Sequence, residues 1–448
     1  MNPFELLAAL TTVTALFAYV NYRWVRLPTT IGLMAMALVS SLLLLVLSRA
    51  GIVDLAPLLR FIEAVDFDAT LLNGVLGALL FAGALHVDLA ALRAQRVMIA
   101  VLAVASTFAS TIIVGGGTWG LTALLGTPVP LAWCLVFGAL ISPTDPIAVG
   151  AILKGAGVPP RLRVMITGES LFNDGIGVVA FLVLLGIATG GESVEWGHVA
   201  QLFAVEVLGG LLYGAALGWL AVRLLARVDD YQVEILLTLA ITTGGYVFAN
   251  RLHLSGALAM VVAGLVLGSS GRAIAMSART QARLDDFWEL VDEFLNAMLF
   301  VLIGIEAVIV EFSGRAGLLG LLAIALVLLA RWASVAVPLA TLPQGRAMPN
   351  GALSILTWAG LRGGISVALA LSLPSSPHRS LLVTMTYVVV CFSILVQGLT
   401  VQRVVQRAMP HVASDAAAGD AAAGDAAAGG VLHEGPRAEV ETQLPSAG

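Results

Sequence analysis

Charge is scarce in this sequence: Asp, Glu, Lys and Arg make up 11% of its 448 residues, where a soluble domain carries about 25%. Hydrophobic residues make up 59%, more apolar surface than a soluble fold of this length can hide. Lys154 is the only lysine, and the two cysteines, Cys134 and Cys391, lie in apolar runs as small core residues. These shortages exclude an ordinary soluble enzyme, a nucleic-acid binder and a disulfide scaffold. There is no Gly-x-x-x-x-Gly-Lys phosphate loop and no zinc-ligand cluster, and Gly168-Glu-Ser-Leu-Phe172 misses the Gly-x-Ser-x-Gly elbow at its last position. Neither ATP drive nor hydrolase chemistry has support, and no cofactor is implied. His86, His198, His253 and His378 all fall near loops, so a proton carrier inside the apolar segments must be a carboxylate. A mean hydropathy of +0.97 leaves an all-α polytopic membrane protein as the fold class.

A spanning helix needs about 20 mostly apolar residues. Cutting the chain at charged or Pro/Gly-rich breaks gives thirteen candidates: 4–22, 30–48, 70–87, 97–117, 129–152, 163–188, 199–222, 233–250, 254–270, 285–310, 316–341, 350–373 and 380–406. The first has no basic leader and no small-residue cleavage site, which reads as a retained span. Loop charge tests the count, because cytoplasmic loops carry excess Lys and Arg. With the N-terminus outside, sixteen basic residues fall inside, five outside, and Arg331 and Arg362 within spans. The expected topology is thirteen spans, N-terminus out and C-terminus in, over 1–408. Residues 409–448 carry three copies of Asp-Ala-Ala-Ala-Gly and no apolar face, the composition of a disordered cytoplasmic tail.

Ionisable groups deep in a bilayer are expensive and face a cavity or a partner. Glu206, Glu306, Asp88 and Glu234 sit near span ends, within reach of water. Asp145 does not: it lies in the fifth span, in Ile141-Ser-Pro-Thr-Asp-Pro-Ile147. Pro143 and Pro146 each remove a backbone donor, so the helix should open around Thr144 and Asp145. An opened helix at membrane depth is tolerated where it lines a cavity, and its free carbonyls and half-helix ends can bind ions. In the sixth span, Glu169 and Asn173, and Ser170 and Asp174, are i,i+4 pairs; two carboxylates, an amide and a hydroxyl share one face. Such oxygens can replace the hydration shell of a small hard cation. The twelfth span holds Arg362 among Gly360, Gly363 and Gly364, a second break seven spans after the first. An odd offset reverses orientation, so spans 1–6 and 8–13 should form inverted six-helix repeats around a midplane site. Gly210, Gly214 and Gly218 in the seventh span form a small-residue stripe suited to close helix packing.

At these residues the sequence resembles the monovalent cation/proton antiporter family, in its electroneutral sodium/proton exchanger branch, as a bacterial member. The matching stretches are Ser142-Pro-Thr-Asp-Pro146, Gly168-Glu-Ser-Leu-Phe-Asn-Asp-Gly175, Ser255-Gly-Ala-Leu-Ala-Met-Val-Val-Ala-Gly264, Leu299-Phe-Val-Leu-Ile-Gly304 and Gly360-Leu-Arg-Gly-Gly364. The resemblance implies a multi-pass homodimer of the bacterial inner membrane, in which a six-helix core moves against a dimerisation domain. It implies that Asp174 is the exchange carboxylate, with Na⁺ held at Asp174, Ser170 and Thr144 and supported by Asp145. Asn173 stands where electrogenic relatives have an aspartate, which implies one-for-one exchange. Glu169 and Arg362 resemble a buried ion pair tying the sixth and twelfth helices together, and Arg331 a second, structural arginine. Ala82 stands where several relatives carry an acidic residue.

Competition at one carboxylate then suffices for coupling. Burial disfavours the charged form, so a cation or a proton neutralises Asp174, but not both at once. A bare carboxylate at mid-membrane carries a penalty of about 2.5–3.5 kcal/mol even on lenient scales. The expected activity is secondary antiport of Na⁺ or Li⁺ against H⁺, not enzymatic turnover. K⁺/H⁺ exchange is the alternative within this chemistry; a cation channel or a non-transporting sensor are the alternatives outside it.

Overall fold

The computed structural model describes residues 3–65, 74–145, 153, 157–190, 196–271, 276–308 and 314–410, and all regular secondary structure among them is helical. The first elements are α1 (Pro3–Val20), α2 (Thr29–Arg49), the amphipathic α3 (Ala56–Val65) and α4 (Leu76–Leu85). α5 (Arg96–Leu124), α6 (Leu131–Ile141) and the long α7 (Pro160–Gly190) follow. α8 (Trp196–Leu225), α9 (Tyr231–Arg251), α10 (Gly256–Val266), α11 (Ala278–Glu306) and α12 (Gly314–Thr341) form the middle of the chain. The last elements are α13 (Ala352–Trp358), α14 (Gly364–Leu371) and α15 (Arg379–Ala408). Among the described residues, eight helices are long and apolar enough to cross a membrane, and α4, α6 and α10 are shorter apolar helices.

Local chemistry sets several of these boundaries. Pro160 opens α7 at the position where a missing N–H costs nothing. The Asp230 carboxylate accepts the N–H groups of Gln232 and Val233 at 2.9 and 3.3 Å and so caps α9. Ser277 caps α11 by accepting the Thr280 N–H, which starts that helix seven residues before the expected position 285. Its 29 residues reach roughly 43 Å, so the charged first turns project beyond an apolar layer about 30 Å thick. α3 was not expected: its ten residues are too short and too polar on one face for a hydropathy search to find.

Two expected spans are not continuous helices. α6 stops at Ile141, and Ser142–Asp145 are unwound; Pro146 and the rest of that span, to residue 152, lie outside the described residues. The twelfth span divides into α13 and α14 around non-helical Ala359–Gly363. The two breaks cross, since the Asp145 N–H donates to the Leu361 carbonyl at 2.8 Å.

Close backbone approach builds the remainder. In α8 the stripe of Gly210, Gly214 and Gly218 lies against Ser255, which caps α10, and against Ala259 and Ala263 within it, and a Cβ at Gly214 would strike the Ala259 carbonyl. α6 is sandwiched between α5 and α7, and α11 lies along α2 and α4. Large apolar side chains such as Leu212, Trp219, Leu321 and Leu329 stay exposed; a hydrocarbon solvent takes that surface, water does not.

Candidate functional site

The site grows from the unwound segment after α6. A proline at 143 cannot donate to the preceding turn, and the Ser142 and Pro143 carbonyls are left without helical partners. Ser142 turns back, its hydroxyl donating to the Gly138 carbonyl at 2.6 Å, within a small network with Ser110 and Thr111 of α5. The freed carbonyls are taken by Arg362, which donates from Nη1 to both the Ser142 and Pro143 oxygens, the latter at 2.9 Å. Arg362 is 1% exposed, and its own N–H donates to Ser393 Oγ at 2.8 Å. A guanidinium at the carboxyl end of a half-helix also meets the negative end of the helix dipole.

The other half-helix receives the same treatment. Arg331 of α12 donates from Nε and Nη2 to the Leu356 carbonyl near the end of α13, at 3.2 and 3.1 Å. Its remaining donors fork onto Glu169: Nη1 to Oε1, and Nη2 to Oε2 at 2.9 Å. This corrects the expected Glu169–Arg362 pair. With Asp145 and Asp174 reserved for the ion, charge counting leaves two buried arginines for one carboxylate, Glu169, but the broken helices supply orphan carbonyls that also need a guanidinium. Arg362 is consumed by those of α6, and Arg331, capping α13, is the one that reaches Glu169. Gly360 is required there, because a Cβ would stand 2.6 Å from Arg331 Nε.

Thr144 is pinned to α7. Asn173 Nδ2 donates to Thr144 Oγ1 at 2.9 Å, while Asn173 Oδ1 accepts the Thr144 N–H at 3.2 Å. The Thr144 and Ser170 hydroxyls share a hydrogen bond of 2.8 Å. An amide serves here as donor and acceptor together, which a carboxylate cannot do. Pro143 sits against Gly177, where a Cβ would run into its ring.

Asp174 and Asp145 face a cavity of about 50 Å³ beside these supports. Its walls include Leu79 and Leu80 of α4, Leu171 of α7, Leu299 of α11 and Gly363–Ser366 at the second break. A water needs roughly 10–15 Å³ by this kind of measure, so the space suits a small cation with a few waters. Asp174 is 4% exposed and lies in the fields of Asp145, of like charge, and Arg362, of opposite charge. The structure thus brings Asp174 and Asp145 to the cavity, whereas Thr144, Ser170 and Asn173 form the hydrogen-bonded layer behind it. Glycine at 363 was named only as a helix breaker; it has a second duty, since a Cβ there would overlap the Asp145 carboxylate. Ala82 is buried and its carbonyl lies 2.9 Å from His86 Nδ1.

The family model for the transmembrane sodium/hydrogen exchanger matches residues 12–407. The Na(+)/H(+) antiporter NhaP of Pseudomonas aeruginosa is 48% identical over 412 residues, covering 90% of this chain and 96% of that protein. The Na(+)/H(+) antiporter NhaH of Halobacillus dabanensis is 35% identical over 345 residues, covering 76% of this chain and 83% of that protein. In architecture the chain is similar to the sodium proton antiporter MjNhaP1 from Methanocaldococcus jannaschii at pH 8, with a TM-score of 0.70 at 16% identity, over 91% of this chain and 100% of that one.

Proposed function

The chain belongs to the sodium/hydrogen exchanger family, and from that premise we propose that it exchanges Na⁺ for H⁺ across a bacterial inner membrane, one for one, by alternating access. The observation that carries the reading is the pair Asp174 and Asp145 on one small cavity where two broken helices cross. Na⁺ and H⁺ are both substrates of Asp174.

The fixed charges support one-for-one stoichiometry. Glu169 and Arg331 neutralise each other. Among the described residues at the cavity, Arg362 contributes one positive charge and Asp145 and Asp174 one negative charge each, a sum of −1 when unloaded. One Na⁺ or one H⁺ brings it to zero, and only the neutral form crosses the apolar layer without the penalty of a bare charge. Asn173 adds no charge, and its two hydrogen bonds hold the break in register. The guanidinium caps keep both half-helices intact, so α6, α7, α13 and α14 move as one body. Thirteen spans, N-terminus out and C-terminus in, arranged as inverted repeats and assembled as a homodimer, complete the proposal; Arg279 and Arg283 at the start of α11 mark that end as cytoplasmic.

Asp174→Asn tests the assignment. In proteoliposomes the variant should lose Na⁺-driven proton flux while eluting as the wild type does on size exclusion. Near-normal flux would remove Asp174 from the mechanism.

A further inference from the structure

α11 runs from its cytoplasmic first turns to the cavity, and it carries oxygen at a regular interval. Asp285, Asp292 and Asn296 stand at i, i+7 and i+11, which at 100° per residue places them within about 40° of one another. Leu299, on the same stripe one turn further, touches the cavity shared by Asp145 and Asp174. The stripe from 285 to 299 climbs roughly 21 Å.

Two buried oxygens on this stripe have no hydrogen-bond partner among the described residues. Asn296 is 2% exposed; its Nδ2 donates to the Asp292 carbonyl at 2.8 Å, but its Oδ1 accepts nothing. Asp292 Oδ1 is likewise buried without a hydrogen-bond partner, although the Asn296 amide lies against the Asp292 carboxylate. A buried polar atom left unmatched is costly, and i,i+4 side chains are close enough to converge on one ligand. Two acceptor oxygens, one charged and one neutral, fit a small hard cation. Below them, His86 Nε2 stands 3.9 Å from Asp285 Oδ1, and Asp292 lies within electrostatic reach of both His86 and Asp145.

We propose that Asp292 Oδ1 and Asn296 Oδ1 form a waypoint for a small monovalent cation between the cytoplasmic mouth at Asp285 and the exchange site at Asp174. One full charge attracts the ion, and a second, neutral oxygen replaces part of its hydration without trapping it, the balance that conduction between sites needs. The inference rests on the antiport reading above.

The test is sided. Full-length protein in everted and in right-side-out membrane vesicles exposes the cytoplasmic or the extracellular face to a Na⁺ titration, with proton flux as readout. Asp292→Asn should raise the cytoplasmic apparent KM for Na⁺ roughly twofold to fivefold, the loss of one partly solvated charge–charge attraction. The extracellular KM should move less than twofold. Asn296→Asp, which keeps the oxygen and adds charge, should lower the cytoplasmic KM. Equal shifts on both faces, or none in either variant, overturn the waypoint while leaving Asp174 in place. Absence of Na⁺-dependent flux in the wild type would instead overturn the antiport reading on which it rests.

Discussion

Removing Arg331 separates the observed buried pair from the expected one. Arg331→Met keeps most of the volume and deletes the charge, leaving the Glu169 carboxylate with 1% of its side chain exposed and no fork to hold it. It also uncaps the Leu356 carbonyl. Stranding one member of a buried pair costs about 3–5 kcal/mol, and each lost hydrogen bond to the capped carbonyl adds about 1 kcal/mol. For a chain of 448 residues that corresponds to a melting temperature lower by roughly 5–10 °C, scaling down the shift seen per kcal/mol in smaller domains. The assay is a detergent-solubilised melt followed by size exclusion, run as a double-mutant cycle with Glu169→Gln. The Glu169/Arg331 coupling should be about 2–3 kcal/mol, and the double variant should be more stable than Arg331→Met alone. The same cycle with Arg362→Met should couple much less strongly, because Arg362 bonds to the Ser142 and Pro143 carbonyls. A larger coupling of Glu169 to Arg362 than to Arg331 would refute the reasoning.

Other perturbations test other parts of the account. Asn173→Asp replaces the donor to Thr144 Oγ1 and brings the unloaded site to −2, so its residual flux should rise with a negative-inside potential; flux indifferent to potential contradicts the charge arithmetic. Gly363→Ala pushes a methyl into the Asp145 carboxylate and should reduce exchange at least tenfold, a loss of about 1.4 kcal/mol or more at the transition state; wild-type turnover would mean that Asp145 is free to move. Gly214→Ala meets the Ala259 backbone, whereas a Cβ at Gly244 meets open space. The first should lower the melting temperature, and the second should hold or raise it, since Ala exceeds Gly by about 1 kcal/mol in helix propensity. Equal effects would dissolve the packing argument for the α8 stripe.

Much of this architecture was legible in the chain because the bilayer imposes simple rules on it. Apolar length locates the eight long helices among the described residues, and two prolines around Asp145 and three glycines around Arg362 mark the places where helices open. The i,i+4 spacing of 169, 170, 173 and 174 put the polar groups on one face of α7. What composition could not show was the demand made by backbone. Orphan carbonyls appear only once a helix has ended, and they compete for guanidinium groups as strongly as a carboxylate does; hence the pairing of Glu169 went to the wrong arginine. The clamp of Asn173 on Thr144 needs the break folded back on α7, and no spacing rule predicts that. The stripe on α11 was hidden by its charged amino end, which reads as an ordinary cytoplasmic helix start, although i, i+7, i+11 recurrence was there to be counted.

The central claim is that one carboxylate, neutralised by either Na⁺ or H⁺, couples their movement. It is tested most directly by proton flux in proteoliposomes under a Na⁺ gradient, with the membrane potential first clamped at zero and then set negative inside. Saturable, Na⁺-dependent flux of equal rate is expected under both conditions. Flux that accelerates with potential would contradict it, since a second charge would then be crossing with each cycle.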